Sequence, residues 1–440
     1  MDGLVMTGQL LLGLSILIVL HELGHFWAAR AFGIKVEKFY LFFDAWGFKL
    51  FSFNYKGCEY GIGWLPLGGY VKIAGMIDES MDTDQLAGPP QPWEFRSKPA
   101  WQRLIVMLGG VTVNIILGIF IFWILTFKYG ESYTPNDKLV NGIAPGIIGK
   151  EIGLQNGDRI VEVNGKKIVR FEEVASSKVL LGNSELTVQR NGDTKTIKVP
   201  GDVLEKVSDY GIAEFVAPRF LASVGEVVPA SNAKKAGLEV GDKIVSINRK
   251  PVKFLDEVRD ELQAQKSKTV ELGVLRSVDT VRLATAVDTA GQIGFKPDGL
   301  EIPQEKQKYD FFTSLPVGAS KAWGSFTDNA KGLGKVVSGQ VKANKAFTGP
   351  VGIANMFGAE VNWIKFWSLV GLLSMALALM NLLPIPALDG GHAVFLVIEM
   401  IKGKPLGDKF MEKAQLVGFV ILVALMVFVL GNDILKYVIN

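Results

Sequence analysis

Four stretches of the chain carry no charged residue and are long enough to cross a lipid bilayer. They cover residues 3–20, 104–127, 366–383 and 414–432, and the apolar pattern of the first continues to about residue 32. A helix needs roughly 20 apolar residues to span the hydrocarbon core, so these stretches predict four transmembrane helices. A cleaved signal peptide is the alternative for the first stretch, but the basic residues and small-residue cleavage site of such peptides are missing.

Basic residues are concentrated in two of the segments between the predicted spans. No Lys or Arg precedes the first span. The segment between the first and second spans contains Arg30, Lys35, Lys38, Lys49, Lys56, Lys72, Arg96, Lys98 and Arg103, and the segment between the last two contains Lys402, Lys404, Lys409 and Lys413. Cytoplasmic loops are enriched in Lys and Arg, so we expect both segments in the cytoplasm. The termini and the long stretch 130–360 are then exterior.

The predicted exterior stretch contains an internal repeat. Residues 153–164 return as residues 237–248, and each copy has a Gly-Asp pair followed by alternating apolar residues. This pattern predicts two copies of one module, each with a hairpin that leads into a half-buried strand.

Apolar residues recur at three- and four-residue steps after the second copy. They are Trp323, Phe326, Ala330, Leu333, Val337 and Val341. The spacing predicts an amphipathic helix, which either lies on the outer membrane surface or packs against the two modules.

The first predicted cytoplasmic segment shows strand patterns. Residues 48–55 and 58–64 are predicted to form a hairpin that turns at Lys56-Gly57. The segment Gly68-Gly69-Tyr70-Val71 follows. An exposed edge here would bind an unwound substrate as an added strand, whereas a folded β cap that never contacts substrate is the alternative.

Composition narrows the functional classes. The 440 residues are 49% hydrophobic, with a mean hydropathy of +0.27, which argues against an entirely soluble protein. The 47 basic and 44 acidic residues leave a net charge of +3, so no polybasic field for nucleic acid is present. Cys58 is the single cysteine, which excludes an internal disulfide and a cysteine zinc finger.

Two of the three histidines lie within the first span and flank a glutamate. The motif His21-Glu22-Leu23-Gly24-His25 places two imidazoles on one helix face, where they can bind zinc while the glutamate activates a water molecule. Ionisable groups inside a membrane span are costly unless paired. This cost argues against two histidines that are merely hydrogen-bonded in a core.

A catalytic zinc ion usually has three protein ligands and a water molecule, so one further donor is required. Residues 381–392, after the third predicted span, offer Asp389 and His392. The prolines of this segment break the helix and its glycines allow close backbone approach. A non-helical segment could therefore meet the first span at membrane depth.

These motifs resemble the site-2 protease family of intramembrane zinc metalloproteases. The resemblance rests on HExxH in a first span together with Asn-x-x-Pro-x-x-x-Leu-Asp-Gly, here residues 381–390. The repeated modules resemble PDZ domains, with Gly211 and Gly294 in loops similar to the PDZ carboxylate-binding loop. Together with residues 95–103, these modules are similar to the bacterial sigma-E-regulating branch of the family.

The resemblance implies that His21, His25 and Asp389 hold Zn²⁺ and that Glu22 is the general base and acid. Asn381 is implied to hold substrate, and a supporting or structural role remains for His392. Asn114 follows a Gly-Gly pair where many members have Ala-Gly-Pro, so the family pattern assigns its role less firmly.

The resemblance also implies a bacterial inner membrane location and single-span membrane proteins as substrates. Such substrates include a pre-cut membrane anti-sigma factor and signal-peptide remnants. Peptide carboxyl termini are the implied ligands of the PDZ-like modules. A zinc or proton transporter and a non-catalytic PDZ receptor are the alternatives, but a transporter would not predict the HExxH spacing of the glutamate.

We therefore expect a multi-pass α-helical membrane protein with a cytoplasmic β hairpin region and two exterior PDZ-like α+β domains. The predicted segments are the first span at 1–33, the β region at 34–100, the second span at 101–129, the PDZ-like modules at 130–219 and 220–300, the amphipathic helix region at 301–361, the third span and ligand motif at 362–392, a cytoplasmic loop at 393–413 and the fourth span at 414–440.

Overall fold

The computed structural model describes residues 2–66, 68–76, 88–298 and 302–436, and it divides into two compact units. The membrane unit contains Met1–Gly130, Lys308–Val337 and Ala343–Asn440. The repeat unit contains Glu131–Gln307 and Ser338–Lys342. The predicted boundaries at 300, 301 and 440 fall outside the described residues.

The membrane unit begins with a long helix, a four-stranded sheet and two further helices. Their bounds are α1 Asp2–Ala31, β1 Val36–Leu41, β2 Lys49–Tyr55, β3 Cys58–Gly63, β4 Tyr70–Ile73, α2 Ala100–Met107 and α3 Gly109–Tyr129. The second span, predicted as one run from residue 104, is thus divided at Leu108. The division coincides with a close contact to α1, since a Cβ added to Gly24 would lie 2.3 Å from the carbonyl oxygen of Gly109.

The sheet of the membrane unit has the strand order β2-β3-β1-β4. β2 and β3 are antiparallel with Tyr55 opposite Cys58, which confirms the predicted hairpin. β1 pairs with β3 in parallel and with β4 in antiparallel, so β4 is an edge strand among the residues that the structure describes. Val36, Val71 and Ile73 are buried together with Ala29 at the end of α1, and this cluster fixes the sheet against that helix.

The repeat unit contains two modules. The first comprises β5 Glu131–Tyr133, β6 Ile143–Ala144, α4 Ile147–Glu151, β7 Arg159–Val163, β8 Lys166–Lys167, α5 Ser177–Leu180, β9 Ser184–Arg190, β10 Asp193–Val199, α6 Val203–Tyr210 and β11 Ala217–Pro218. The second comprises β12 Val224–Val227, α7 Asn232–Lys235, β13 Lys243–Ile247, β14 Lys250–Pro251, α8 Leu255–Ala264, β15 Thr269–Arg276, β16 Asp279–Ala286, β17 Phe295–Pro297 and β18 Glu305–Gln307.

The two modules repeat in structure as well as in sequence. Their four-stranded sheets have the corresponding orders β10-β9-β7-β8 and β16-β15-β13-β14. The short pair β6–β11 in the first module corresponds to β12–β17 in the second, and β5 pairs with β18 to close the unit.

A buried ion pair recurs in both modules and explains the repeated Gly-Asp sequence. Arg190 donates two hydrogen bonds of 2.7 Å to the carboxylate of Asp158, and Arg276 donates two of 2.8 Å to Asp242. Both aspartates are buried. A buried carboxylate is costly unless it is paired, so each arginine is part of the module core. Neither arginine lies within the repeated stretch that identified the modules.

The chain then returns to the membrane unit with six helices. They are α9 Phe311–Val337, α10 Ala343–Ala346, α11 Pro350–Phe357, α12 Trp363–Leu382, α13 Asp389–Lys402 and α14 Asp408–Ile434. The helices α1, α3, α12 and α14 are long and apolar enough to cross a membrane, so each of the four predicted spans contains a helix that could do so.

α9 is the predicted amphipathic helix, but it starts earlier and ends at Val337, so Val341 lies beyond it. The indole Nε1 of Trp123 in α3 donates to the carbonyl oxygen of Phe311 at 2.9 Å. A Cβ added to Gly318 would lie 2.5 Å from the backbone of Trp123. The first half of α9 therefore packs against a span, and the predicted apolar residues from Trp323 to Val337 belong to its middle and its second half.

The predicted loop at 393–413 is largely helical. α13 continues to Lys402 because its apolar residues, including the buried Ala393 and Leu396, follow helical spacing. Gly403 ends the helix in the left-handed conformation with φ of 67°. Only residues 403–407 separate α13 from α14.

Candidate active site

The HExxH motif lies near the C-terminal end of α1. His21 and His25 are one helical turn apart, and their Nε2 atoms are separated by 3.3 Å. Nδ1 of His25 lies 2.8 Å from the carbonyl oxygen of Val106. Because a carbonyl oxygen only accepts, Nδ1 of His25 donates its proton and Nε2 keeps a free lone pair.

Asp389 reaches the two histidines from the later part of the chain, where it is the first residue of α13. The segment between α12 and α13 is non-helical, as its prolines predict. A Cβ added to Gly390 or Gly391 would lie 2.4 or 2.3 Å from a backbone carbonyl oxygen. These two glycines therefore allow the tight turn that directs Asp389 towards α1.

Three donor atoms converge at this point. Oδ2 of Asp389 lies 3.3 Å from Nε2 of His21 and 3.4 Å from Nε2 of His25. Atoms bound to a tetrahedral Zn²⁺ at about 2.0–2.2 Å are themselves about 3.3–3.6 Å apart. Oδ2 of Asp389 is also buried with no hydrogen-bond partner, a costly state that an ion would relieve. The three residues fit a zinc ion in donor type and in spacing.

The three residues line a cavity of about 90 Å³. Glu22, Asn381, His392 and the start of β4, with Gly69, Tyr70 and Val71, form further parts of its wall. The backbone N–H of Val71 faces the carboxylate of Glu22. Gly68 does not line this cavity, because it packs against the ring of Phe43, which a Cβ at Gly68 would approach to 2.8 Å.

Two asparagine amides flank the imidazole of His21. Nδ2 of Asn381, at the end of α12, lies 3.2 Å from Nε2 of His21. Nδ2 of Asn114, in α3, lies 3.1 Å from Nδ1 on the opposite side of the ring. The sequence reasoning left the role of Asn114 open, although it is the one amide side chain in the uncharged run 104–127.

The remaining predicted residues lie apart from the three donor atoms. His392 borders the cavity one turn after Asp389 but is not part of the converging group. Gly211 and Gly294 belong to the repeat unit, with φ of 91° and 92°.

Comparison with known proteins agrees with this geometry. A family model described as Peptidase family M50 matches residues 9–425. The chain is 30% identical to the regulator of sigma E protease of Haemophilus influenzae over 99% of this chain and 100% of the relative. It is 31% identical to the regulator of sigma-E protease RseP of Escherichia coli K12 and 29% identical to a putative zinc metalloprotease of Vibrio cholerae, each over 96% of this chain and 97% of the relative. The chain therefore belongs to peptidase family M50 and is an intramembrane zinc metalloprotease.

Proposed function

We propose that this enzyme cleaves peptide bonds within or near the transmembrane segments of single-span proteins, with Zn²⁺ held by His21, His25 and Asp389. The observation that carries the proposal is the convergence of three donor atoms, all within 3.4 Å of one another, beside Glu22. Two of the donors lie on a helix long enough to cross a bilayer, so substrate would reach them within the membrane.

The residues around the three donors have distinct roles in this proposal. Zn²⁺ bound there would polarise the scissile carbonyl group and lower the pKa of a water molecule. Glu22 accepts a proton from the attacking water and later delivers it to the leaving amine. The Val106 carbonyl orients His25.

Asn381 is placed to bind the carbonyl oxygen of the scissile bond. Its amide lies 3.2 Å from the donor nitrogen of His21, on the wall of the cavity. Amide N–H groups aimed at a developing negative charge stabilise the transition state of acyl transfer. Asn381 thus supplies hydrogen bonds that strengthen as the carbonyl carbon is attacked.

β4 offers backbone groups to an unwound substrate. A transmembrane helix satisfies its carbonyl groups internally, so cleavage requires local unwinding and new hydrogen-bond partners. β4 is an edge strand, and Tyr70 and Val71 at its start line the cavity. An extended substrate segment would pair with β4 as an added strand next to Glu22.

Cleavage of a purified single-span peptide tests the catalytic proposal. A chelator should stop cleavage and added Zn²⁺ should restore it. Glu22→Gln should retain zinc but lose about 10²–10⁴-fold in rate, because the amide cannot accept the proton of water. Glu37→Gln, at a partly exposed glutamate on β1, is the matched control and should retain both properties.

Turnover of Glu22→Gln near the wild-type rate would contradict the proposed mechanism. The transporter and receptor alternatives instead predict that even the wild-type protein cleaves no peptide, because neither of them hydrolyses peptide bonds.

We also propose that the modules of the repeat unit are PDZ-like and lie on the exterior side. In the second module, Gly294 directly precedes β17, and a cavity of about 190 Å³ is lined by that segment and by Leu255, Val258 and Leu262 of α8. In the first module, a 3-10 turn over Ile212–Glu214 follows Gly211. The second module is thus better suited to bind a peptide carboxyl end by strand addition.

Exclusion of bulky exterior domains is the main effect that we propose for the two modules. Deletion of residues 140–297 should then allow cleavage of an uncut substrate with a large exterior domain. The deletion keeps β5 and β18, whose antiparallel pairing closes the repeat unit. A folded, zinc-loaded deletion variant that still rejects uncut substrate would refute the size filter.

A substitution in the cavity of the second module distinguishes exclusion of bulky exterior domains from binding of a peptide carboxylate. Substitution at Gly294 is unsuitable, because a Cβ there would lie 2.3 Å from Cβ of Ser231. Leu255→Glu places a negative charge in this cavity and should repel a peptide carboxylate. Cleavage by this variant should change little if the modules only exclude bulky domains. It should fall if they bind the carboxyl end of the substrate.

The names of the relatives support a proposal about substrate class and location. Two relatives bear the name regulator of sigma E protease. We propose a membrane anti-sigma factor that has lost its exterior domain, together with signal-peptide remnants, as substrates. The four apolar helices would place the enzyme in the bacterial inner membrane, with both termini and the repeat unit on the periplasmic side.

A further inference from the structure

The side chain of Asn114 contacts the side of His21 that faces away from the three donor atoms. Asn114 is fully buried in α3, and its amide lies 3.1 Å from Nδ1 of His21. With Nδ2 on the imidazole side, Oδ1 is buried and has no hydrogen-bond partner. An unsatisfied amide oxygen is costly, above all inside a span that lacks water.

Exchange of the amide oxygen and nitrogen places Oδ1 beside Nδ1 of His21, where it has a partner. The two atoms are distinguished only by the hydrogen bonds that they make. With Oδ1 next to the ring, Asn114 accepts the proton of Nδ1, and Nε2 of His21 keeps its lone pair. In the opposite orientation the amide donates to Nδ1, which forces the proton onto Nε2 and blocks that atom as a ligand.

We propose that Asn114 is a positioning residue whose side-chain oxygen fixes His21 as the tautomer protonated on Nδ1. The inference rests on the proposed zinc site. The Val106 carbonyl oxygen has the same effect on His25. Two acceptors, one from α2 and one from α3, thus leave both Nε2 atoms unprotonated and 3.3 Å apart.

Zinc affinity of the full-length protein, measured by competition with a chelator, tests this role. Asn114→Leu removes the acceptor and should weaken zinc binding about 10–100-fold. Asn114→Asp keeps an acceptor oxygen but cannot donate, so its affinity should stay close to that of the wild type. Equal weakening by the two substitutions would overturn the proposal.

Ser374→Ala provides a matched control. The hydroxyl of Ser374 donates to the backbone carbonyl oxygen of Asn114 at 2.7 Å and is equally buried, but it contacts neither imidazole in the interactions described. Its loss should disturb the packing of α3 on α12 and leave zinc affinity unchanged. Weakening by Ser374→Ala as large as that by Asn114→Leu would reduce the effect to packing and overturn the proposal.

A direct readout needs no substitution at Asn114. The chain has three histidines, so ¹⁵N-histidine spectra of the zinc-loaded protein are simple enough to assign. Nδ1 of His21 should carry a proton, and an unprotonated Nδ1 would refute the inference. Zinc retained at full affinity by His25→Ala would instead refute the metal site itself, which distinguishes the two failures.

Discussion

A Cβ atom added to Gly110 would lie 2.5 Å from Nε2 of His25. The glycine therefore creates the space in which the two imidazoles of α1 meet. Gly110→Ala should lower zinc affinity at least about 10-fold and destabilise the membrane unit by about 1–3 kcal/mol, because the methyl group overpacks the site. Zinc titration and thermal unfolding measure the two effects.

Gly8→Ala is the control for that substitution. Gly8 also lies in a span, but nothing approaches its added Cβ within 4 Å. This variant should bind zinc as the wild type does. Normal zinc binding by Gly110→Ala would show that the imidazoles do not need the close approach of α3.

The third zinc ligand is tested by comparison of Asp389 with His392. Asp389→Ala should abolish cleavage and weaken zinc binding by more than about 100-fold, because it removes one of three converging donors. His392→Ala should lose less than about 10-fold in zinc affinity, since it borders the cavity without joining that group. Metal analysis that shows the reverse order would assign the third ligand to His392.

Val71→Pro tests substrate binding at β4. Proline lacks the N–H of an edge strand, so cleavage of helical substrates should fall more than cleavage of substrates that are already unwound. Val71→Ala keeps the N–H and serves as the control. The Val71 N–H also faces Glu22, so equal loss with both substrates would assign the effect to the general base or to misfolding.

Acid should weaken the second module through Asp242. Burial alone would raise the pKa of Asp242, but hydrogen bonds from Arg276 and from the Glu239 backbone lower it overall. A folded-state pKa below the unfolded value of about 3.9 means that the stabilisation is complete above that pH and is lost as pH falls through the folded pKa.

Arg276→Ala should therefore cost about 1.5–3 kcal/mol near neutral pH and less in acid. Hydrogen exchange of the β13 and β15 amides measures this loss. Arg282→Ala removes a largely exposed side chain on the neighbouring strand and should change stability by less than about 0.5 kcal/mol. A cost for Arg276→Ala that is independent of pH would contradict the assigned role of Asp242.

The parts of the site that depend on local spacing were predictable from the sequence. His21 and His25 share a helix face because of the helical period, and the hairpin that turns between Tyr55 and Cys58 follows from alternation and a turn signal. Assignment of Asp389 as the third ligand required the family resemblance. The approach of Asp389 to α1 depends on the turn between α12 and α13, which the spacing of residues in the sequence does not define.

Features that depend on long-range contacts were not predictable. The break at Leu108 accompanies the contact between Gly24 and Gly109, which are 85 positions apart in the sequence. The partners of Asp158 and Asp242 lie more than 30 residues after them, outside the repeated stretch. Local patterns contain no signal for such pairings.

The same limit applies to Asp433, near the end of the last span. This residue lies just beyond the uncharged run 414–432, and its buried carboxylate accepts hydrogen bonds from the backbone N–H groups of Gly349, Val351 and Gly352 at the start of α11. A negative charge at a helix N-terminus is stabilised by these N–H groups and by the helix dipole. Because Asp433 and the start of α11 are far apart in the sequence, local patterns could not predict this contact.

The edge position of β4 has a consequence for how substrates would be selected for cleavage. Main-chain groups are the same in every polypeptide, so a strand that pairs through them ignores the identity of the residues it receives. If substrates pair with β4 as proposed, selection would depend on how readily the transmembrane helix of the substrate unwinds. One glycine in place of alanine costs a helix about 1 kcal/mol, which multiplies the unwound population about fivefold. Low stability of the substrate's transmembrane helix would thus serve as the degradation signal.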